Sequence, residues 1–228
     1  MREFVNSFLL VYASLFPIVN PIGGAPLFHG LTRSCNEAER TTLAWQVARN
    51  GFFLLLGSMF VGSYVLEFFG ITLPVVRIAG GLVVTALGWQ LLHAANEPLE
   101  QRAADVARHG SGRADQAYPP AKTDSFYPLT MPLTVGPGSI AVAIALGSRR
   151  PAMPDYFGHV ALLGLSAILG LVAIAATVYV CYRFADRTVS LLGERGANVV
   201  VRLAGFLLLC IGLELIWSGY LALMRTAQ

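Results

Sequence analysis

Val75-Val76-Arg77-Ile78-Ala79-Gly80 recurs as Val200-Val201-Arg202-Leu203-Ala204-Gly205, with five of six positions identical and Ile exchanged for Leu at the other. An arginine aligned inside otherwise apolar sequence makes duplication a better account than chance. A weaker echo accompanies it. Asn20-Pro21-Ile22-Gly23-Gly24 is answered by Gly136-Pro137-Gly138-Ser139, and each follows another proline, Pro17 and Pro132. Internal repetition is therefore the first organising feature of the chain.

The surroundings of these segments are apolar. Of 228 residues 55% are hydrophobic and 13% charged, against about 25% charged in an ordinary soluble domain. Uncharged runs extend from Phe4 to Thr32, Gly51 to Leu66, Ser125 to Ser148 and Tyr156 to Tyr182, near or above the roughly 18 to 20 residues that span a bilayer. Six spans follow, near 4–30, 44–67, 72–93, 126–147, 157–182 and 199–223. The first run is too long for a signal-peptide core and carries no Ala-x-Ala site, so it is expected to be retained as a helix. Nine of the charged residues crowd into 94–124. With Gly110-Ser111-Gly112 and Pro119-Pro120 in it, this stretch is expected to be a mobile hydrophilic linker.

The linker leaves three spans on each side, and the duplicated segment opens the third span of each half. An odd number of spans per half forces the two copies into opposite orientations. The expected fold is an all-α polytopic membrane protein, six transmembrane helices arranged as two inverted three-helix repeats, residues 1–93 and 125–228. Basic residues outside the spans set the orientation. Nine of them (Arg33, Arg40, Arg102, Arg108, Arg113, Lys122, Arg183, Arg187, Arg195) share one side, against Arg2, Arg149, Arg150 and Arg225 on the other. The 94–124 linker is therefore expected in the cytoplasm and both termini in the periplasm.

Proline removes a backbone donor and glycine loosens a helix. Pro17, Asn20, Pro21, Gly23, Gly24 and Pro26 should break the first span, and Pro128, Pro132, Gly136, Pro137 and Gly138 the fourth. Polar backbone freed by a break cannot face lipid, so both breaks must face protein or a water-filled cavity. Broken spans at matching positions of inverted halves point to a binding site near the midplane. Amide ends of half-helices favour a carboxylate, and exposed carbonyls favour an ammonium or a cation. A zwitterionic amino acid presents both, and Asn20, Thr134 and Ser139 add hydrogen-bonding side chains without charge.

Charged groups inside spans are the next candidates. Arg49 and Glu67 lie near span ends, where snorkelling accounts for them. Arg77 and Arg202 lie about a turn inside their spans and suit end-anchoring as well as gating. Glu214 is deeper, and an Arg77–Glu214 pair is expected, with proton coupling at Glu214 as its sharper form. Scattered histidines and three cysteines form no metal-ligand spacing, and no nucleophile elbow, phosphate loop or dinucleotide fingerprint occurs. No cofactor, metal, catalytic residue or enzymatic activity is expected. No basic tract suits nucleic acid. Tryptophans near span ends read as interfacial anchors, as do His29 and His93. Small-residue pairs such as Ser58/Gly62 allow contact within or between subunits, which leaves a homo-oligomer open.

The segments FPIVNPIGGAPLFHGLT (16–32), PLTMPLTVGPGSIAVAIALG (128–147) and the two VVR[IL]AG copies resemble those of the MarC family of bacterial integral membrane proteins, over nearly the whole chain. The resemblance implies a six-span protein of the bacterial inner membrane, in a family where some members are described as neutral amino acid transporters. It marks Asn20, Pro21, Gly23, Gly136, Pro137 and Gly138, and supplies no catalytic residue. The function expected is secondary transport or export of a small neutral amino acid or related solute by alternating access. The partners expected are membrane lipid, that solute and a coupling proton or sodium ion. The alternative is a non-transporting scaffold that contacts a partner through 94–124.

Overall fold

The computed structural model describes residues 2–93, 124–148 and 157–226. Most of the linker at 94–124, together with Arg149 and Arg150, lies outside the described residues. The described chain is helical, with a single isolated bridge between Asp124 and Pro128. The helices are α1 (Arg2–Val19), α2 (Pro21–Leu31), α3 (Glu37–Phe68), α4 (Leu73–His93), α5 (Pro137–Gly147), α6 (Phe157–Arg183) and α7 (Ala185–Thr226). Five helical stretches are long and apolar enough to cross a membrane, and α5 is a shorter apolar helix.

Local chemistry explains where the elements begin and end. α3 starts at Glu37 rather than near 44, because Asn36 and Glu39 form a reciprocal capping box, Glu39 N donating to Asn36 Oδ1 (2.8 Å) and Asn36 N to Glu39 Oε2 (2.9 Å). Gly70 (φ 66°) turns the chain between α3 and α4. α7 begins directly after Phe184 rather than near 199, and is interrupted at Gly193 (φ 65°, ψ 172°), a conformation open essentially to glycine alone. The fourth span is only half a helix. Leu129–Thr134 form a wide turn, Val135 and Gly136 are extended, and α5 follows from Pro137.

Packing sets the directions. Gly81 lies against Gly212 and Gly88 against Gly205, so α4 and α7 run antiparallel along a seam of small residues. A Cβ on Gly88 would sit 2.5 Å from Leu209 N and 2.7 Å from Gly205 O. No side chain fits at these glycines, whose space is taken by facing backbone and by Thr85, Leu91 and Ile216. α1 meets α6 at Val11–Gly170 and at Tyr12 Oη–Thr177 Oγ1 (3.2 Å), and α2 meets α6 further on, where Phe28 stacks on Tyr182 at 4.5 Å. The first span therefore continues in one direction through its break and is not a re-entrant hairpin. The fourth span likewise advances along α3, with Val135 at Gly51 and Ile144 at Gly62.

One end of the bundle, the near end, gathers the close of α2, the start of α3, the end of α4 and the α6–α7 junction. The far end holds the start of α1, the α3–α4 turn and the close of α7. The core is apolar, from Leu15 and Phe28 to Leu171 and Val201. Large apolar side chains are also exposed around the circumference, Phe53, Tyr64, Leu203, Phe206 and Trp217 among them, as a lipid-facing surface requires.

Candidate functional site

Asn20 is the point where α1 stops and α2 starts. Its N–H donates to Phe16 O (2.9 Å), completing α1, and its carbonyl accepts from Gly24 N (2.9 Å), opening α2. Between these bonds its backbone is left-handed (φ 48°, ψ 57°), the one positive-φ position outside glycine among the described residues. Asparagine tolerates that region better than most residues. Its Oδ1 also caps the new helix by accepting from Gly23 N at 3.2 Å. Pro21 has no N–H to return to the Pro17 carbonyl. The break thus leaves the Pro17 carbonyl without its helical N–H partner at the end of α1, while Asn20 takes the Gly23 and Gly24 amides of α2 and keeps its Nδ2 unbonded within the described residues.

The fourth span breaks differently. Thr130 N donates to Ser125 O (3.1 Å), Met131 N to Phe126 O (2.9 Å) and Val135 N to Thr130 O (2.8 Å), so each bond reaches five residues back. Two hydroxyls donate to backbone carbonyls of this stretch, one of which, Gly136 O, also accepts from Ile140 N (3.1 Å). Thr134 Oγ1 donates to Leu129 O (2.8 Å) and Ser139 Oγ to Gly136 O (2.8 Å). A hydroxyl has one proton, so Thr134 must accept in its 2.8 Å bond to Tyr182, and Tyr182 Oη donates it. Tyr182 is fully buried and stacked on Phe28. Gly24 leaves the space for it, since a Cβ there would lie 2.7 Å from the phenol oxygen.

The two breaks face each other across a cavity of about 700 Å³. Asn20, Gly23 and Gly24 wall one side, and Thr134, Gly136, Pro137, Gly138 and Ser139 the other. Eight of the nine binding residues expected from sequence line this space, and Pro21, buried behind Asn20, does not. The rest of the wall is Val83, Val84, Ala86, Leu87, Trp89, Gln90 and Leu91 of α4, with Ile18, Val19, Leu27, Met131, Pro132, Leu133 and Leu208. Among the described residues no charged side chain lines it. Every α4 residue in the wall belongs to the near-end half of that helix, so the cavity runs from the breaks toward the near end. Beyond it, Gly80 packs on Ala141 and Gly81 on Gly212, which closes the far side.

Residues 5–224 match the model of a family described as MarC family integral membrane protein. The chain belongs to the MarC family. It is similar to the inner membrane protein MarC of Salmonella typhimurium (strain LT2), 32% identical over 226 residues and 99% of each chain. The MarC of Citrobacter koseri is likewise 32% identical over 226 residues and 99% of each chain, and that of Escherichia coli O139:H28 is 32% identical over 212 residues and 93% of each. No solved structure matches.

In this MarC-family chain the charged candidates lie away from the cavity. Arg202 and Glu214 are exposed on α7, and Arg77 is half-buried with its stem against Gly219. The expected Arg77–Glu214 ion pair is not formed among the described residues, because α4 and α7 are in register with Arg77 at Gly219, more than a turn beyond Glu214. The ionic cluster that does form was not anticipated. His29 Nδ1 and Arg40 Nη1 both bind the Asp186 carboxylate, one oxygen each. Arg40, expected in a loop, is buried inside α3. His29, expected as an interfacial anchor, reaches across to α7. Trp89 lines the cavity rim while remaining 60% exposed. Tyr182, Arg40 and Asp186 carried no signal of spacing or motif, since their partners lie far apart in sequence.

Proposed function

We propose that this protein is a secondary transporter that moves a small neutral amino acid or related solute across the bacterial inner membrane, with both termini periplasmic. The observation that carries the reading is the convergence of both helix breaks on one uncharged cavity of about 700 Å³, within the range of about 300–1,000 Å³ usual for small-molecule sites. The donors that face the cavity are Asn20 Nδ2 and the first-turn amides of α5 at Gly138 and Ser139, which suit a carboxylate. The Pro17 carbonyl, left without its helical partner, is not a wall group itself but lies next to the wall residue Ile18, and it is the acceptor of this break for an ammonium. Thr134 and Ser139 have spent their protons on backbone carbonyls, so they shape the site and do not donate to the solute. The apolar wall from α4 accommodates the side chain.

Alternating access follows from the repeat. The Arg77 segment of α4 packs through Gly80 on α5, and the Arg202 segment of α7 packs through Ala204 on Gly23 of α2. Each duplicated segment thus rests on the half-helix of the opposite half, which supports reading the halves as inverted copies. The cavity faces the near end here. Exchanging the two packing arrangements would face it to the far end.

The test is flux of labelled neutral amino acids in proteoliposomes under proton or sodium gradients, for wild type, Asn20→Ala and Gly136→Leu. A Cβ on Gly136 would make one ordinary contact, 3.5 Å from Pro132 O, so leucine there takes up cavity space without a backbone clash. Saturable flux lost in both folded variants supports the reading. Absence of flux for every solute tried, in either direction, overturns it in favour of a non-transporting role.

A further inference from the structure

The His29–Asp186–Arg40 cluster binds the moving parts of the near end to one carboxylate. His29 lies in the last turn of α2, the half-helix whose other face walls the cavity through Asn20, Gly24 and Leu27. Asp186 lies at the start of α7, ahead of the interruption at Gly193. Arg40 lies in α3 and is 91% buried by its 9% exposure, and its Nη2 also donates to Thr32 O (3.2 Å) and Cys35 O (3.3 Å) in the α2–α3 turn. Its Nε is buried without a partner. Four residues before Asp186, Tyr182 holds α2 through Gly24 and Phe28 and holds the fourth span through Thr134.

We propose that Asp186 is the latch of the near end: its bonds to His29 and Arg40 hold α2 against α6 and α7, away from α4, and so keep the cavity open on that side. The proposal rests on the transporter reading for its purpose, since only a cycle of access needs the latch to open. Closing the cavity by moving α2 toward α4 must separate His29 from Asp186. The charges around the carboxylate show what receives Arg40 then. Glu37, Arg183 and Arg187 line a small pocket with Arg40 and Asp186, and Glu37 stands one helical turn before Arg40. Among the described residues Glu37 is the one other carboxylate in that pocket, so Arg40 exchanges Asp186 for Glu37 and is not left as a buried uncompensated cation. Two alternative partners for one guanidinium make the near end bistable.

The test reads cavity access by cysteine labelling and needs no substrate. Met131, half-buried in the cavity wall, is replaced by cysteine in a chain whose Cys35, Cys181 and Cys210 are removed. A membrane-impermeant maleimide is applied to sealed vesicles of either orientation, and a chain keeping Cys35 alone marks the near-end side. Asp186→Asn is expected to slow near-side labelling about tenfold and to speed far-side labelling, with Asp186→Glu restoring the wild-type pattern. A folded Asp186→Asn chain that labels like wild type overturns the latch. If that variant does not fold, His29→Gln and Arg40→Lys each remove part of the cluster and should shift labelling the same way by about twofold; wild-type rates in both overturn it. Flux measured on the same preparations separates the two readings. Flux with unaltered labelling sinks the latch alone, and altered labelling without flux of any solute sinks the transporter reading alone.

Discussion

The phenol of Tyr182 donates to the hydroxyl of Thr134 at 2.8 Å, joining two residues 48 positions apart at the point where the fourth span loses its helical bonding. Thr134 passes its own proton to Leu129 O, so a single relay fixes the distorted turn to α6. Tyr182→Phe should keep the stack on Phe28 and lose one hydrogen bond, costing about 1 kcal/mol. Thr134→Val removes the same bond, leaves the fully buried Tyr182 hydroxyl without a partner and deletes the bond to Leu129 O, so it should cost more, about 2–3 kcal/mol. Thermal unfolding in detergent ranks the two, and equal costs would mean that the relay is not formed.

Asn20 combines a backbone demand with a chemical one, and substitutions can separate them. Asn20→Gly relieves the left-handed geometry and should leave stability nearly unchanged, while flux falls for want of the side-chain amide. Asn20→Ala keeps the loss of the amide and adds backbone strain of about 1–2 kcal/mol. Comparable stability in both variants would argue against a strained break.

The α4–α7 seam should tolerate nothing larger than glycine. Gly88→Ala brings a methyl onto the Leu209 and Gly205 backbone and should lower the unfolding temperature or abolish recovery of folded protein. Gly57→Ala is the control, since a Cβ there meets nothing within 4 Å, and alanine should stabilise this helix by up to about 1 kcal/mol. Similar outcomes for both would show that α4 and α7 do not approach so closely.

Glu214 and Arg40 should part company on neutralisation. Glu214→Gln, exposed and outside any ion pair among the described residues, should change stability by no more than about 0.5 kcal/mol and leave flux intact. Arg40→Met leaves Asp186 and the turn carbonyls of Thr32 and Cys35 without their donor, and should be much the more destabilising. Loss of gradient-driven flux in folded Glu214→Gln would restore the coupling role that its sequence position first suggested.

Much of the candidate site was legible because its chemistry is written in the backbone. Asn20, Pro21, Gly136 and Pro137 interrupt helices wherever they are placed, so their role as break points follows from residue type. That the breaks would meet at one site was expected only on the premise that the halves are inverted copies. The charged residues were misread for the opposite reason. Burial depth along a span suggested that Arg77 would meet Glu214, but rotation about the helix axis and the sliding of α4 along α7 decide side-chain encounters. Glycines at 81, 88, 205 and 212 set that slide.

Sequence by itself determined the membrane class, the approximate centres of five spans and the two places where a helix must fail. These depend on hydropathy and on proline and glycine geometry, which act within a few residues. Tertiary structure alone decided that Asp186 binds both His29 and Arg40, that Tyr182 supports the fourth span, and that the cavity faces one end. Such contacts join residues as much as 157 positions apart, and they arise from how whole helices pack against each other, a relation that no local spacing encodes.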